Sequence, residues 1–166
     1  MLITRLAKIA MVASIAAFAS VVVLGNITDY GTNFEFVRHV LAMDTIRPGS
    51  TVGSRAVTSP ALHHAAYAII IAAEAITAAL CWIGALRLLY SLRAGAPAFN
   101  RAKAWAVAGL TLGFLTWQLG FMTIGGEWFA MWMSPQWNGV PSAFRFVMVI
   151  VAVLIFVVMQ DEEIDG

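Results

Sequence analysis

Four long apolar segments constrain the fold of this chain more than any other feature of its sequence. They lie at about residues 6–25, 60–92, 100–124 and 142–160, and each is close to the roughly 20 residues that a helix needs to cross a bilayer. The chain is 61% hydrophobic and 11% charged, whereas a soluble domain is roughly 45–50% apolar and about 25% charged. The sequence therefore predicts an all-α membrane protein, with a four-transmembrane-helix bundle as a single membrane domain over residues 1–166.

The first apolar segment is interpreted as a transmembrane helix that stays in the protein, not as a cleaved signal peptide. Arg5 and Lys8 precede an apolar run over residues 9–24. This run is longer than the core of most signal peptides, and no clear small-x-small cleavage site follows it.

Two outer loops, residues 26–59 and 125–141, are predicted to connect the helices on one side of the membrane. A loop of the first one's length usually carries structure or function of its own. Apolar residues recur every three or four positions over residues 32–43. This pattern predicts a short amphipathic helix, capped by Thr32 or Asn33, that lies at the membrane surface.

Basic residues predict the orientation of the bundle. Because they are enriched in cytoplasmic loops, an excess on one side predicts that both termini face the cytoplasm. Residues 161–166 then form an acidic cytoplasmic tail, which we expect to be solvated. The basic residues on the side of the termini are Arg5, Lys8, Arg87, Arg93, Arg101 and Lys103, and those on the other side are Arg38, Arg47, Arg55 and Arg145.

Glu74, near the middle of the second apolar segment, is the strongest candidate for a functional residue. A charged side chain at the centre of a membrane helix costs on the order of 2.5–3.5 kcal/mol on insertion scales, so it needs a partner in the protein. At 100° per residue, His63, Tyr67 and Glu74 share one helix face. This polar stripe is either a seam buried against another helix, which is the more common arrangement, or a proton path. Gln118 in the third segment is the predicted polar neighbour of Glu74.

Aromatic and charged residues of the outer loops form a predicted interaction surface. Trp128 and Trp132 are four residues apart and are expected to share a helical face. An aromatic belt at the membrane–water interface is a more common explanation for such a cluster than a cage around a ligand. Glu127 is the expected ion-pair partner of Arg145 or of a loop arginine. The residues assigned to this surface are Asp29, Tyr30, Arg38, Glu127, Trp128, Trp132 and Arg145.

The histidines raise the question of a metal or haem site. His63 and His64 are adjacent on one helix and point about 100° apart, so together they cannot hold one metal ion from opposite sides. His39 in the first outer loop would complete a copper or haem site with either of them. Histidines with local hydrogen bonds are the more common alternative, so no cofactor is assigned. The net charge of +1 offers no basic face for nucleic acid.

Small residues of the second and third segments predict close helix packing. Gly109 and Gly113 form a small-xxx-small pair of the kind that lets two membrane helices approach closely. We expect this pair to act within the bundle, although the same pattern also serves contacts between chains. Cys81, the one cysteine, is expected to be a small buried apolar residue.

Five short motifs stand mostly in the outer loops and at the helix mouths. They are NITDYG at residues 26–31, VRHVLAMDT at 37–45, SPALHH at 59–64, FNRAK at 99–103 and GGEWF at 125–129. Together they resemble a bacterial family described only as predicted small integral membrane protein, a domain of unknown function. The resemblance covers nearly the whole chain. It implies four membrane helices in a bacterial inner membrane, and it implies no catalytic residue.

The first functional hypothesis is a non-catalytic accessory subunit or assembly partner of a larger inner-membrane complex, such as a respiratory complex. The outer loops are suited to docking other membrane subunits or a second copy of the chain. One alternative is a small oligomeric transporter or channel that uses Glu74. Another is a haem- or copper-binding membrane protein that uses His39, His63 and His64. An enzyme acting at the outer surface through a histidine and Glu127 ranks last.

Overall fold

The computed structural model describes residues 1–163, and residues 164–166 of the predicted acidic tail lie outside the described part of the chain. Four helices within residues 1–163 are long and apolar enough to cross a membrane. This finding confirms the predicted all-α membrane fold with four transmembrane helices. The four spans are Leu2–Thr28, Pro60–Tyr90, Ala96–Trp128 and Val140–Val158.

The elements follow the order that the apolar segments predict, with bounds that differ by a few residues. Short 3₁₀ turns at Thr51–Arg55 and Met131–Met133 belong to the two outer loops. In chain order the helices are α1 (Leu2–Thr28), α2 (Tyr30–Ala42), α3 (Pro60–Tyr90), α4 (Ala96–Ala102), α5 (Ala104–Leu115) and α6 (Val140–Val158).

The third membrane helix changes its winding part of the way along. Helices α4 and α5 meet at Lys103, and the backbone then continues as a π-helix over Thr116–Trp128, called the π segment below. π-helical turns are usually single and are frequent at functional sites. A π-helix of 13 residues is therefore unusually long.

Helix α3 packs between α1 and α5, and α6 packs against α5 and the π segment. Glycines permit the close approach of α3 and α5. A Cβ atom on Gly84 would lie 2.6 Å from the Cα atom of Ala106, and one on Gly109 would lie 2.7 Å from the Sγ atom of Cys81. The small residues therefore seat helices within the bundle, as the sequence predicts. The fully buried core around this contact includes Val12, Ala16, Cys81, Leu88, Phe99, Ala106, Leu110 and Val157.

The two outer loops fold together into one cap, which consists of residues 29–59 and 129–139. Its apolar core contains Val40, Met43, Phe129 and Met131. The hydroxyl oxygens of Thr45 and Ser134 lie 2.8 Å apart and join the two loops. The cap is thus a packed layer at one end of the bundle.

Helix α2 begins earlier than the sequence predicts. Asp29 is its N-cap residue, in place of the expected Thr32 or Asn33. The Asn33 side chain instead donates hydrogen bonds to the backbone oxygens of Gly25 and Asp29, at 3.4 and 3.1 Å. These bonds hold α2 against the end of α1.

At the opposite end of the bundle, the residues that follow α6 return into the protein. Asp161 is buried, and its Oδ2 atom lies 2.6 Å from the Nζ atoms of both Lys8 and Lys103. The prediction of a solvated tail is therefore wrong at Asp161. Two buried ammonium groups hold its carboxylate, and Asn100 hydrogen-bonds its backbone N–H and C=O groups.

Candidate functional site

Glu74 lies in a small polar cluster between α1 and α3. Asn26 donates a hydrogen bond from Nδ2 to Oε2 of Glu74 at 2.7 Å. The hydroxyl group of Tyr67 donates to the backbone oxygen of Asn26 at 3.1 Å. Glu74 and Tyr67 are only 4% and 2% exposed. One residue of α1 therefore binds two of the three polar residues of the predicted stripe, Tyr67 and Glu74, and buried polar groups are stabilised by such partners.

Asn26 is the residue of this cluster that the sequence does not reveal. The apolar segment ends just before it, and the sequence assigns it to the first outer loop, but α1 continues through Thr28. The predicted neighbour of Glu74, Gln118, is not its partner. Within residues 1–163 the Gln118 side chain forms no hydrogen bond, and its backbone oxygen accepts one from the Thr123 hydroxyl group at 3.0 Å.

The Glu74 cluster lines a cavity that adjoins a second, apolar cavity. The first, called the polar cavity below, has a volume of about 170 Å³, and its mostly apolar and aromatic lining contains four polar residues, Asn26, Asn33, Tyr67 and Glu74. An apolar cavity of about 240 Å³ lies between α2, α3 and the π segment. The two cavities share lining residues, so polar and apolar space adjoin. The shared residues are Phe36, Val37, Ile70 and Phe121.

The three histidines of the proposed metal site have separate environments. The Nε2 atom of His63 lies 2.7 Å from the backbone oxygen of Val57. The Nδ1 atom of His64 lies 2.8 Å from the hydroxyl oxygen of Tyr30. The ring of His39 stacks on Trp137, with centroids 4.6 Å apart. The described part of the chain contains no group of three metal-binding side chains.

Tyr30 and Arg38, two residues of the predicted interaction surface, make contacts within the chain. The Tyr30 ring stacks on Phe34 with centroids 5.7 Å apart. The Nε atom of Arg38 donates to Oε2 of Glu35 at 2.9 Å. This hydrogen bond from Arg38 holds the pKa of the Glu35 carboxyl below its usual value. Asp29 is exposed at the junction of α1 and α2.

The sequence predicts that Trp128 and Trp132 share a helix face, but in the structure they lie in different elements. Trp128 ends the π segment, and Trp132 belongs to the 3₁₀ turn that follows Ala130, a residue with φ of 52°. Both side chains are about half exposed, at 55% and 51%. The guanidinium carbon of Arg55 lies 4.6 Å from the ring centroid of Trp128.

The predicted ion pair of Arg145 with Glu127 is not present in the structure. Arg145 instead donates a hydrogen bond to Oγ of Ser142, one turn earlier on α6, at 3.0 Å. Glu127 forms no ion pair within residues 1–163 and lies beside Trp128 and Arg55 at the edge of the cap.

The Asp161 site is a second buried polar cluster, which the sequence does not predict. Lys8 and Lys103 each donate to the backbone oxygen of Met159 at 2.6 Å, in addition to binding Asp161. Burial alone would raise the pKa of Asp161, but hydrogen bonds from Lys103 and Lys8 outweigh it and lower the pKa. Arg5, fully buried, donates to the backbone oxygen of Ala94 at 2.6 Å. This cluster joins the first turns of α1 and the residues that directly follow α6 to the middle turn.

Comparison with known proteins gives one match. The family model described as predicted small integral membrane protein, DUF2165, matches residues 4–160. No curated protein and no solved structure matches the chain.

Proposed function

The chain belongs to the family of predicted small integral membrane proteins, and from this premise we propose that it is a non-catalytic accessory subunit or assembly partner of a larger membrane complex. A respiratory complex of the bacterial inner membrane is the first candidate. In this proposal both termini face the cytoplasm and the cap faces outward.

The ordered cap carries this proposal. Two loops distant in sequence pack around a common apolar core. Trp132 on the cap and Trp128, which ends the π segment at the edge of the cap, are both about half exposed. Tryptophan is enriched among residues that dominate binding energy at protein interfaces, because a large rigid ring loses little entropy on contact. A cap held together in this way offers a preformed docking surface.

The experiment is gentle purification of the tagged protein from native membranes, followed by mass spectrometry of the eluate. We expect stoichiometric partner subunits with the wild type. The double substitution Trp128→Ala and Trp132→Ala should reduce partner recovery at least about tenfold, which corresponds to about 1.4 kcal/mol.

Trp105→Ala is the matched control. Trp105 is 40% exposed and lies beside Arg87, a setting similar to that of Trp128 beside Arg55, but it is at the opposite end of the bundle. Its loss should leave partner recovery unchanged. A wild-type chain that elutes alone would contradict the accessory-subunit proposal.

A small oligomeric transporter or channel is the second candidate, and the buried Glu74 cluster beside two cavities favours it. Ionisable residues inside membrane bundles commonly mark ion and proton paths. The test measures proton flux in vesicles that contain the purified protein. Glu74→Gln should abolish the flux while Glu162→Gln, an exposed carboxylate after α6, leaves it unchanged. Equal flux in both variants and the wild type would exclude a role for Glu74.

A further inference from the structure

The polar cavity beside Glu74 presents hydrogen-bond acceptors. Oε2 of Glu74 accepts from Asn26, whereas Oε1 accepts no hydrogen bond from residues 1–163. The amide nitrogens of Asn26 and Asn33 already donate to Glu74 and to backbone oxygens. Asn33 Nδ2 uses both of its N–H groups and Asn26 Nδ2 uses one, so one N–H of Asn26 remains. The Oδ1 atoms of Asn26 and Asn33, together with Glu74 Oε1, outnumber this single donor, and oxygen acceptors of this kind bind a ligand that donates.

Aromatic rings line the same cavity. They belong to Phe36, Tyr67, Trp117 and Phe121, and the Trp117 and Phe121 rings lie with centroids 4.6 Å apart. The face of an aromatic ring attracts a cation, and this attraction is stronger where water is excluded. A carboxylate among aromatic rings favours an organic cation over a neutral donor.

The adjoining apolar cavity indicates the chemistry of the rest of the ligand. Its lining includes Ile69 and Ile124, whose side chains are 69% and 45% exposed on the outside of the bundle. The cavity therefore opens towards the region that lipid occupies in a membrane. An apolar chain would fill it while a charged head group remains beside Glu74.

We propose that the two adjoining cavities bind a primary ammonium group that carries an apolar chain. The ammonium contacts Glu74 Oε1 and the oxygens of Asn26 and Asn33, and the chain lies against Phe36, Ile70 and Phe121. This binding requires neither a docked partner nor transport. Two sources carry such a group: an aminophospholipid of the membrane and a free hydrophobic amine.

The test is isothermal titration calorimetry of the purified full chain in dodecyl maltoside with decylamine. Decanol, which has the same chain and a neutral hydroxyl group, is the ligand control. Wild type should bind decylamine at least about tenfold more tightly than decanol. Glu74→Gln should remove this preference, and Glu162→Gln should retain it.

A second variant tests the apolar half of the site. Gly120 lines the apolar cavity, and a Cβ atom there would meet no atom within 4 Å. A larger side chain can therefore start from this position without a clash at its Cβ atom. Gly120→Leu should reduce the free volume of the cavity and weaken decylamine binding at least about tenfold, because it occupies the space of the chain. Unchanged binding in either Glu74→Gln or Gly120→Leu would overturn the proposal, as would equal binding of decanol and decylamine.

Competition distinguishes the two sources. Dihexanoyl phosphatidylethanolamine carries the primary ammonium group, and dihexanoyl phosphatidylglycerol does not. Displacement of decylamine by the first lipid alone supports the site with a membrane lipid as its ligand. Displacement by neither lipid supports the site with a free amine as its ligand, and displacement by both contradicts recognition of the ammonium group.

Discussion

At the scale of single residues, the Asp161 cluster shows how charges are buried in this bundle. Arg5, Lys8 and Lys103 are 0%, 1% and 5% exposed, and lysine and arginine are almost never fully buried unless they are paired. Their partners are the Asp161 carboxylate and backbone oxygens that follow the ends of α3 and α6. The C-terminal end of a helix attracts cations because its carbonyl groups lack partners.

Asp161→Asn should destabilise the protein by about 3 kcal/mol, because removing one partner of a buried ion pair leaves charge uncompensated. Lys8 and Lys103 both lose their carboxylate but keep the Met159 oxygen. Reversible unfolding in mixed micelles measures the change. Glu162→Gln is the control, since the exposed Glu162 contributes only its backbone oxygen to Arg5. Equal stability of Asp161→Asn and the wild type would show that the ion pairs of Asp161 add nothing to the free energy of unfolding.

The same contact predicts a pH dependence of stability. The pKa of Asp161 is lower in the folded protein than its ordinary value. A carboxyl group with a depressed pKa stabilises the fold above its unfolded pKa, about 3.9, and this contribution is lost as the pH falls through the folded pKa. The difference in unfolding free energy between the wild type and Asp161→Asn should be constant from pH 7 to about pH 5. It should shrink below about pH 4, and a difference that persists at lower pH would contradict this origin.

The sequence predicts that Glu74 needs a partner within the protein, but it does not identify Asn26 as that partner, for a physical reason. A carboxylate inside an apolar helix is conspicuous because burial without a partner is costly. Asn26, by contrast, is a polar residue that follows the apolar run, a pattern that is typical of loop residues. The sequence does not predict the burial of Asp161, because an acidic run after a helix is usually solvated. Only the folded structure brings Lys8 and Lys103 to this carboxylate.

At the scale of elements, the π segment explains why the cavities lie where they do. A π-helix has a wider turn than an α-helix, and the π segment contributes Gly120, Phe121, Ile124 and Gly125 to the apolar cavity. Helical winding of this kind has no hydropathy signal, because the spacing of apolar residues remains compatible with an ordinary helix. The sequence therefore predicts this membrane helix but not its winding.

Two glycine substitutions, one in the contact between α3 and α5 and one on α1, are predicted to have different effects. Gly109→Ala should destabilise the protein by about 1–3 kcal/mol, because the new Cβ atom would lie 2.7 Å from Sγ of Cys81 and 2.8 Å from its backbone nitrogen. Gly25→Ala should be neutral or stabilising by about 0.5–1 kcal/mol, because its Cβ atom meets no atom within 4 Å in α1. Unfolding in mixed micelles measures both. A tolerated Gly109→Ala would show that the two helices can separate at little cost.

At the scale of the whole molecule, hydropathy predicted the four spans because burial in lipid requires long apolar helices. It did not predict that the two outer loops form one cap, since contacts such as Thr45 with Ser134 join residues that are far apart in sequence. The structure also places Arg5 and Lys8 of α1 and Asp161, which follows α6, beside the middle turn.

The orientation of the whole molecule is open to a labelling experiment. If basic residues lie on the cytoplasmic side, Ser54→Cys in the cap should react with a membrane-impermeant maleimide on intact cells. Glu162→Cys should react only after the cells are permeabilised. Both positions are exposed, and the native Cys81 is fully buried and should stay unlabelled. Labelling of Glu162→Cys alone on intact cells would reverse the orientation.

The Lys8–Asp161 pair can form only late in the synthesis of the chain. The two residues are separated by 153 positions, so the ribosome has produced all four membrane helices before the counter-ion of Lys8 exists. Until then, Lys8 is a free cation at the base of the first helix, available as a signal for how that helix is inserted. Once Asp161 emerges, the same charge becomes part of the closed bundle. The Lys8 side chain can thus act first as a topology signal during membrane insertion and later as one half of an ion pair that stabilises the folded protein.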